Sequence, residues 1–164
     1  MEPDKIISLL PYSKPFLFVD SITRIDENSI TGEYKFNKDE FFYKGHFHNF
    51  PVTPGVILIE TMAQIGVVCL GIFLLWESIP SKAGKDKISS GKFPEIALVS
   101  CEVNFYLPVF PEEKVTVISE KVYFRLGKLK CNVQMKNEKD EVVCKGIISG
   151  MVKDFSVGVL RTNE

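Results

Sequence analysis

The sequence predicts an α+β fold in which a curved antiparallel β-sheet wraps around one long central α-helix. Three observations carry that prediction. The stretch from Pro54 to Trp76, PGVILIETMAQIGVVCLGIFLLW, is apolar on nearly every side, and a helix of that kind is one surrounded by protein. The final third of the chain is β-rich and punctuated by turn residues, with the two-residue alternation of half-exposed strands. Earlier, two segments rich in Phe, Val and Ile flank Asp26-Glu27-Asn28 and read as a hairpin. A long apolar helix between a hairpin and later antiparallel strands is buried most completely when the sheet curls around it.

Taken in order, Asp4 to Leu10 reads as a short amphipathic helix stopped by Pro11. Pro15 to Ile25 and Ser29 to Phe36 are the hairpin strands, and Asn37 to Phe42 adds a helical turn. The irregular stretch YKGHFHNFPVTPG follows, its Gly and Pro residues spaced for a shaped loop. Thr53-Pro54 then supplies a helix start, with Thr53 as N-cap and Pro54 at the first helical position. Ser78 to Lys92 is polar, basic and Gly/Ser-rich, and reads as a mobile surface loop. The remaining strands are Pro94 to Tyr106, Lys114 to Phe124, Lys128 to Lys136 and Glu141 to Lys153. In KLKCNVQMK, Leu129, Cys131, Val133 and Met135 form one apolar face. There is no internal repeat, and residues 1–164 read as one domain.

Composition narrows the function. With 20 Lys+Arg against 21 Asp+Glu and a net charge of −1, a nucleic-acid binder or polybasic membrane binder is not expected. The opening MEPDKIISLL lacks the basic region and cleavage site of a signal peptide. Cys69, Cys101, Cys131 and Cys144 have no paired spacing and read as buried free thiols of a reducing compartment, so the cytoplasm is the expected location. The apolar run is long enough in principle to cross a bilayer, but Glu60 and Gln64 interrupt it one helical turn apart. A buried helix is expected rather than a membrane span.

The chemistry gathers between Gly45 and Gln64, in G-H-F-x-x-x-P-V-x-P-G-V-x-x-x-E-x-x-A-Q. His46 can take or give a proton near neutral pH, and Glu60 is a carboxyl on an apolar helix that can act as an acid. They stand fourteen residues apart, too far for a local pair, so their meeting depends on folding or on a second subunit. The N–H groups of Gly55 and Val56 lie in the first helical turn, where the helix supplies no acceptor. Such donors can hold a developing oxyanion, for instance on a thioester carbonyl. Base, acid and oxyanion donors are what β-elimination of water needs, with no metal or organic cofactor. His46-x-His48 also has the spacing of a metal pair. With two histidines in the chain and no paired cysteines, His48 reads as loop surface and no metal site is expected. Lys121, Arg125, Lys128 and Lys130 cluster about one hairpin, either as a solvated turn or as a landing patch for an acidic carrier protein.

LPYSKPFLFVD (Leu10 to Asp20) followed by FFYKGHFHNFPVTPGVILIETMAQ (Phe41 to Gln64) resembles the bacterial 3-hydroxyacyl-acyl-carrier-protein dehydratases of fatty acid synthesis. VNFYLPVFPEEKV (Val103 to Val115) is similar to the family's segment around an R-P-V-x-P-G-D element. The resemblance implies a hotdog fold and a homodimer whose sheets continue across the interface. It implies active sites at that interface, with the histidine from one subunit and the glutamate from the other. On these positions His46 matches the catalytic histidine and Glu60 the catalytic acid. Gly55 matches the residue whose N–H polarises the thioester carbonyl, and Gln64 a glutamine that orients the carboxyl. The implied substrate is an acyl-carrier-protein thioester, converted to a trans-2-enoyl thioester.

Some positions depart from the pattern. The family usually has Pro-Gly where His48-Asn49 stand and Pro-Gly-Asp where Pro111-Glu112-Glu113 stand, and Leu107 replaces a basic residue. These changes leave room for a specialised pathway such as polyene or polyketide-like lipid assembly. Two other readings stay open at this stage: a hotdog acyl thioesterase, and a non-catalytic acyl-thioester-binding module.

Overall fold

The structure is a computed structural model that describes residues 1–79 and 95–153. A short helix α1 (Pro3–Ser8) precedes β1 (Ser21–Ile25) and β2 (Ser29–Lys35). A 3₁₀ turn (Phe41–Lys44) leads through the loop into one long helix, α2 (Gly55–Glu77). Four strands follow: β3 (Glu95–Phe105), β4 (Lys114–Arg125), β5 (Lys128–Lys136) and β6 (Val142–Lys153). All six strands form a single antiparallel sheet in the order β1-β2-β4-β5-β6-β3. The chain returns from β2 to the far edge of the sheet through α2, so the helix lies across the sheet's inner face.

Alternation explains why the sheet closes on the helix. Leu129, Cys131, Val133 and Met135 of β5 are all buried, as their spacing predicts, and Val115 and Val117 of β4 join them. From α2 come Leu58, Met62, Ile65, Val68 and Leu70, buried in the same cluster. The helix is long and apolar enough to span a membrane by length and composition, yet 78% of that apolar window is buried inside the protein. It is the core of the fold. Burial also pushes the Cys131 thiol up to about 11 and the Cys144 thiol up to about 12, so both keep their protons at neutral pH.

Four expectations need correction. Leu10 and Leu9 follow α1 rather than ending it, because their N–H groups already close tighter turns onto Ile7 and Ile6. Pro15 to Asp20 is not strand; the hairpin begins at Ser21, and the preceding segment is tied to α2 instead. The helical turn predicted at Asn37 to Phe42 falls later, at Phe41–Lys44. Cys101 is exposed, because it sits on the edge strand β3, whereas the other three cysteines are buried. The basic loop predicted at 78–92 lies almost wholly outside the described residues.

Within α2 the middle section, Gln64–Cys69, is π-helical, between α-helical Gly55–Ala63 and Leu70–Glu77. The wider turn places Gly66 against the sheet, where a side chain would stand 3.0 Å from Ser119 Cβ and Val133 Cγ1. Ser119 donates to the Gly66 carbonyl at 2.8 Å, giving the distorted backbone a partner.

A second buried polar arrangement secures the entry to the loop. The Tyr34 hydroxyl donates to Glu40 Oε1 and accepts from Lys14 Nζ at 3.2 Å. Tyr34 is fully buried and Glu40 is 8% exposed. Tyr34→Phe should therefore leave a buried carboxyl short of a donor and lower stability by about 1–3 kcal/mol. The midpoint of urea unfolding, at unchanged slope, is the measurement that checks it.

Candidate active site

The start of α2 differs from the predicted cap by one residue. Thr53 does not cap the helix, because its hydroxyl is paired with the Tyr43 hydroxyl at 2.6 Å and its N–H donates to the Val109 carbonyl at 2.8 Å. Pro54 is the N-cap and Gly55 the first helical residue. Gly55 and Val56 therefore occupy the first two helical positions, whose N–H groups have no acceptor within the helix. The Phe105 ring lies over Gly55, its Cζ 3.1 Å from where a β-carbon would stand. Any larger residue there would push that ring away from the donors.

The preceding loop holds His46 at three points. Its N–H donates to the Phe42 carbonyl at 3.0 Å, and its carbonyl accepts from the Val52 N–H at 3.0 Å. Its ring Nδ1 lies 2.8 Å from the Val52 carbonyl oxygen. A carbonyl can only accept, so Nδ1 carries the hydrogen and the neutral ring presents the Nε2 lone pair. The ring also stacks on Phe47 at 3.9 Å between centroids. His46 is half-buried and His48 is exposed. Among the described residues no group of three or more His, Cys, Asp or Glu could hold a metal ion.

Glu60 is half-buried, five residues into α2 from Gly55. Its Oε1 accepts from Gln64 Nε2 at 2.8 Å. Gln64 is fully buried, and its other bonds reach a different part of the chain. Nε2 also donates to the Phe16 carbonyl at 2.9 Å, and Oε1 accepts from the Phe18 N–H at 2.8 Å. One side chain thus holds the Pro15 to Val19 segment onto the helix and fixes one oxygen of Glu60. Glu60 faces a cavity of about 160 Å³.

Tyr12 lines that cavity too. Burial pushes its hydroxyl up to about 12, and the nearby Glu60 charge adds to the effect, so it remains a protonated donor. Tyr12 is not legible as a site residue in the sequence. Its only signal was its place inside the Leu10 to Asp20 segment, where nothing in its own chemistry separates it from its neighbours.

Within one chain, then, Glu60, Gln64 and Tyr12 are brought together, with Gly55 and Val56 just over one helical turn ahead. No hydrogen bond or ion pair joins His46 to Glu60, and His46 does not line the cavity at Glu60. The basic cluster divides. Lys128 and Lys130 alternate with buried Leu129 and Cys131 and point outward, and Arg125 pairs with Lys128. Lys121 pairs with buried Cys131 beyond an irregularity in β4 and is turned away from that face. Leu129 packs near Gly71, eleven residues or about 16 Å along the helix from Glu60, so the cluster sits toward the other end of α2.

Comparison with known proteins decides the family. The FabA-like domain matches residues 10–146. The chain belongs to the FabA-like family. It is 32% identical over 153 residues to the 3-hydroxyacyl-[acyl-carrier-protein] dehydratase FabZ of Caldicellulosiruptor bescii, covering 92% of this chain and 97% of that one. Solved structures show the hotdog fold. The dehydratase heterocomplex ApeI:P from Xenorhabdus doucetiae superposes with a TM-score of 0.70 at 11% identity, over 95% of this chain and 94% of that one. A hypothetical thioesterase from Streptococcus pneumoniae, solved with coenzyme A, gives 0.56 at 13% identity, over 80% of this chain and 84% of that one.

Against this FabA-like background the departures from the family pattern have a geometric reading. Asn49 and Glu112 stand where the resemblance implies glycine, and both have positive φ, 61° and 71°. Asparagine tolerates that region; glutamate does so less readily. Glu112 is held there by an ion pair with Lys35 at 2.9 Å and by the Lys38 N–H at 2.8 Å. Glu113, in place of aspartate, accepts from the Phe110 N–H at 2.8 Å and closes the same turn. The backbone that glycine would favour is therefore kept without glycine.

Gln64→Leu should orphan the Phe18 N–H and lower stability by about 1–3 kcal/mol, read from urea unfolding. Glu60→Leu, which leaves both Phe16 and Phe18 bonded to Gln64, should cost clearly less in the same measurement.

Proposed function

We propose that this chain dehydrates 3-hydroxyacyl thioesters carried on an acyl carrier protein, with His46 as base and Glu60 as acid. The observation that carries the roles is the His46 Nδ1 bond to the Val52 carbonyl, because it leaves Nε2 as the ring's only basic nitrogen. The named activity of relatives that align along nearly the whole chain supports the reaction.

His46 Nε2 takes the proton from Cα, and the electron pair moves onto the thioester carbonyl to give an enolate oxygen. The N–H groups of Gly55 and Val56 stabilise that oxygen at the positive end of α2. The enolate then collapses, forming the Cα–Cβ double bond as the β-hydroxyl leaves. Glu60 supplies the proton that turns the leaving hydroxide into water, and transfer of the proton from His46 back to the Glu60 carboxylate, through solvent, restores the starting state. Gln64 acts as a positioning residue, since it fixes one carboxyl oxygen and turns the other toward the cavity.

The site is completed by a second copy of the chain. Among the described residues β3 ends the sheet with an unpaired edge; Leu98, Val99 and Phe105 on it, and Tyr106 and Leu107 just after it, are exposed. A long apolar edge of this kind is one that proteins cover. Two β3 strands side by side would extend the sheet, as a two-fold interface requires, and would bring the loop of one copy toward Glu60 of the other. We place the enzyme in the cytoplasm, where its free thiols stay reduced, and assign Arg125, Lys128 and Lys130 to the face that meets the acidic carrier.

His46→Ala and Glu60→Gln should each lower turnover by about 10²- to 10⁴-fold with the fold intact. The double variant should be scarcely slower than either single one. Mixing the two inactive variants under subunit exchange should restore activity, because one site of each mixed dimer is then wild type. Mass spectrometry of the product thioesters reads all of these. Free acid and free thiol in place of an enoyl thioester would overturn the reaction, and no complementation after proven exchange would overturn the shared site.

A further inference from the structure

The cavity at Glu60 changes character along its length. Among the helix residues that line it, the Glu60 carboxyl stands at one end, and Tyr12 lines the cavity as well. From there it follows α2 past Ala63 to Val67 and Val68, about 10–12 Å along the helix, with only aliphatic lining on that side. β3 contributes Leu98, Ala97 and Ile96 to the lining, and Ile96 Cγ2 and Val67 Cγ1 both stand within 3 Å of where a β-carbon on Gly150 would be. A space polar at its mouth and aliphatic beyond fits an acyl chain whose reacting end lies at Glu60.

Ile96 closes the far end. It is 6% exposed, and its side chain fills a gap between two backbones that carry no side chain of their own. A β-carbon on Gly71 of α2 would overlap Ile96 Cδ1, and one on Gly150 of β6 would stand 2.8 Å from Ile96 Cγ2. Beyond Ile96 the next group facing Gly71 is Leu129 Cδ2, at 3.6 Å from the same position. On its other side Ile96 backs onto a surface depression of about 250 Å³ that also touches Tyr12 and Glu95. Ile96 lines both the cavity and that depression, as Tyr12 and Ala97 also do, and its side chain is the one that packs against both Gly71 and Gly150.

We propose that Ile96, seated between Gly71 and Gly150, is the stop that sets the length of acyl chain this site accepts. The inference rests on the dehydratase reading for the placement of the reacting end, and it adds the determinant of substrate length. Shortening Ile96 lengthens the cavity by the atoms removed. Refilling the vacated space from Gly71 restores the stop from the opposite wall.

The test uses the full chain and a graded series of 3-hydroxyacyl thioesters on a carrier protein. Wild-type kcat/KM should fall sharply past one chain length. Ile96→Ala should raise the long-to-short ratio of kcat/KM by about ten-fold or more, the discrimination that a methylene or two carries in an apolar pocket. Adding Gly71→Ala to Ile96→Ala should return the ratio toward wild type. If Ile96→Ala does not fold, Ile96→Val should still shift the ratio in the same direction by a smaller factor. Calorimetric binding of unreactive saturated acyl thioesters of the same lengths reads the stop without turnover. A binding limit that moves with Ile96 while no enoyl product forms in wild type would keep the stop and overturn the dehydratase reading. An unchanged length profile in both measurements, in variants that fold, would overturn the stop.

Discussion

The hydrogen bonds of Gln64 are the constraint on which the site depends. A primary amide has two N–H donors and a carbonyl acceptor, and here all are used: the Glu60 carboxyl and Phe16 carbonyl accept, and the Phe18 N–H donates. Because Gln64 is fully buried, each unmade bond would cost the desolvation of a polar group with no water to replace it. The Pro15 to Val19 segment therefore has to lie where it does. In lying there it covers the polar side of an otherwise apolar helix and leaves Glu60 in one orientation. A single side chain converts a stability requirement into a functional geometry.

The helix that carries these groups is stabilised by an ordinary core and disturbed where the site begins. Apolar burial against β2, β4, β5 and β6 supplies the driving force. The π-helical section starts at Gln64, one turn after Glu60, and its odd backbone is met by Ser119. Irregular helix is frequent at functional sites, and here it adjoins the candidate acid Glu60. On the loop side the same economy holds: the bonds that stabilise the turn from His46 to Val52 also select the tautomer of the histidine ring. Positive φ at Asn49 keeps that turn in its shape with a residue other than glycine.

Position in the sheet explains why one chain reads as an incomplete site. β3 is last in the strand order although it is third in the sequence, so its outer side has no neighbour among the described residues, while its two ends set Phe105 over Gly55 and Ile96 against Gly71. The same strand thus forms an exposed edge, one wall of the cavity and the cover of the helix N-terminus. In the proposed dimer, changes on β3 would act both on association and on the shape of the cavity, because one strand supplies the edge for the first and side chains for the second.

Much of this was legible in the residues themselves. Local period and turn chemistry determined β5 and the later strands, the long buried helix and the shaped loop, since those signals act between near neighbours. The motif from Gly45 to Gln64 carried the family, and it nominated His46, Gly55, Glu60 and Gln64 as the candidate site, because its spacing is set by the chain. What the tertiary structure decided were the long-range pairings. Thr53 lost its capping role to Tyr43, ten residues away. Lys121 parted from Arg125, Lys128 and Lys130 because β4 is irregular at that point. Tyr12, Phe105 and Ile96 gained their places only when α1, β3 and α2 came together, at sequence separations no periodicity records. A side chain's type is written in the sequence, but its partner is chosen by packing, and the partner decides what it does.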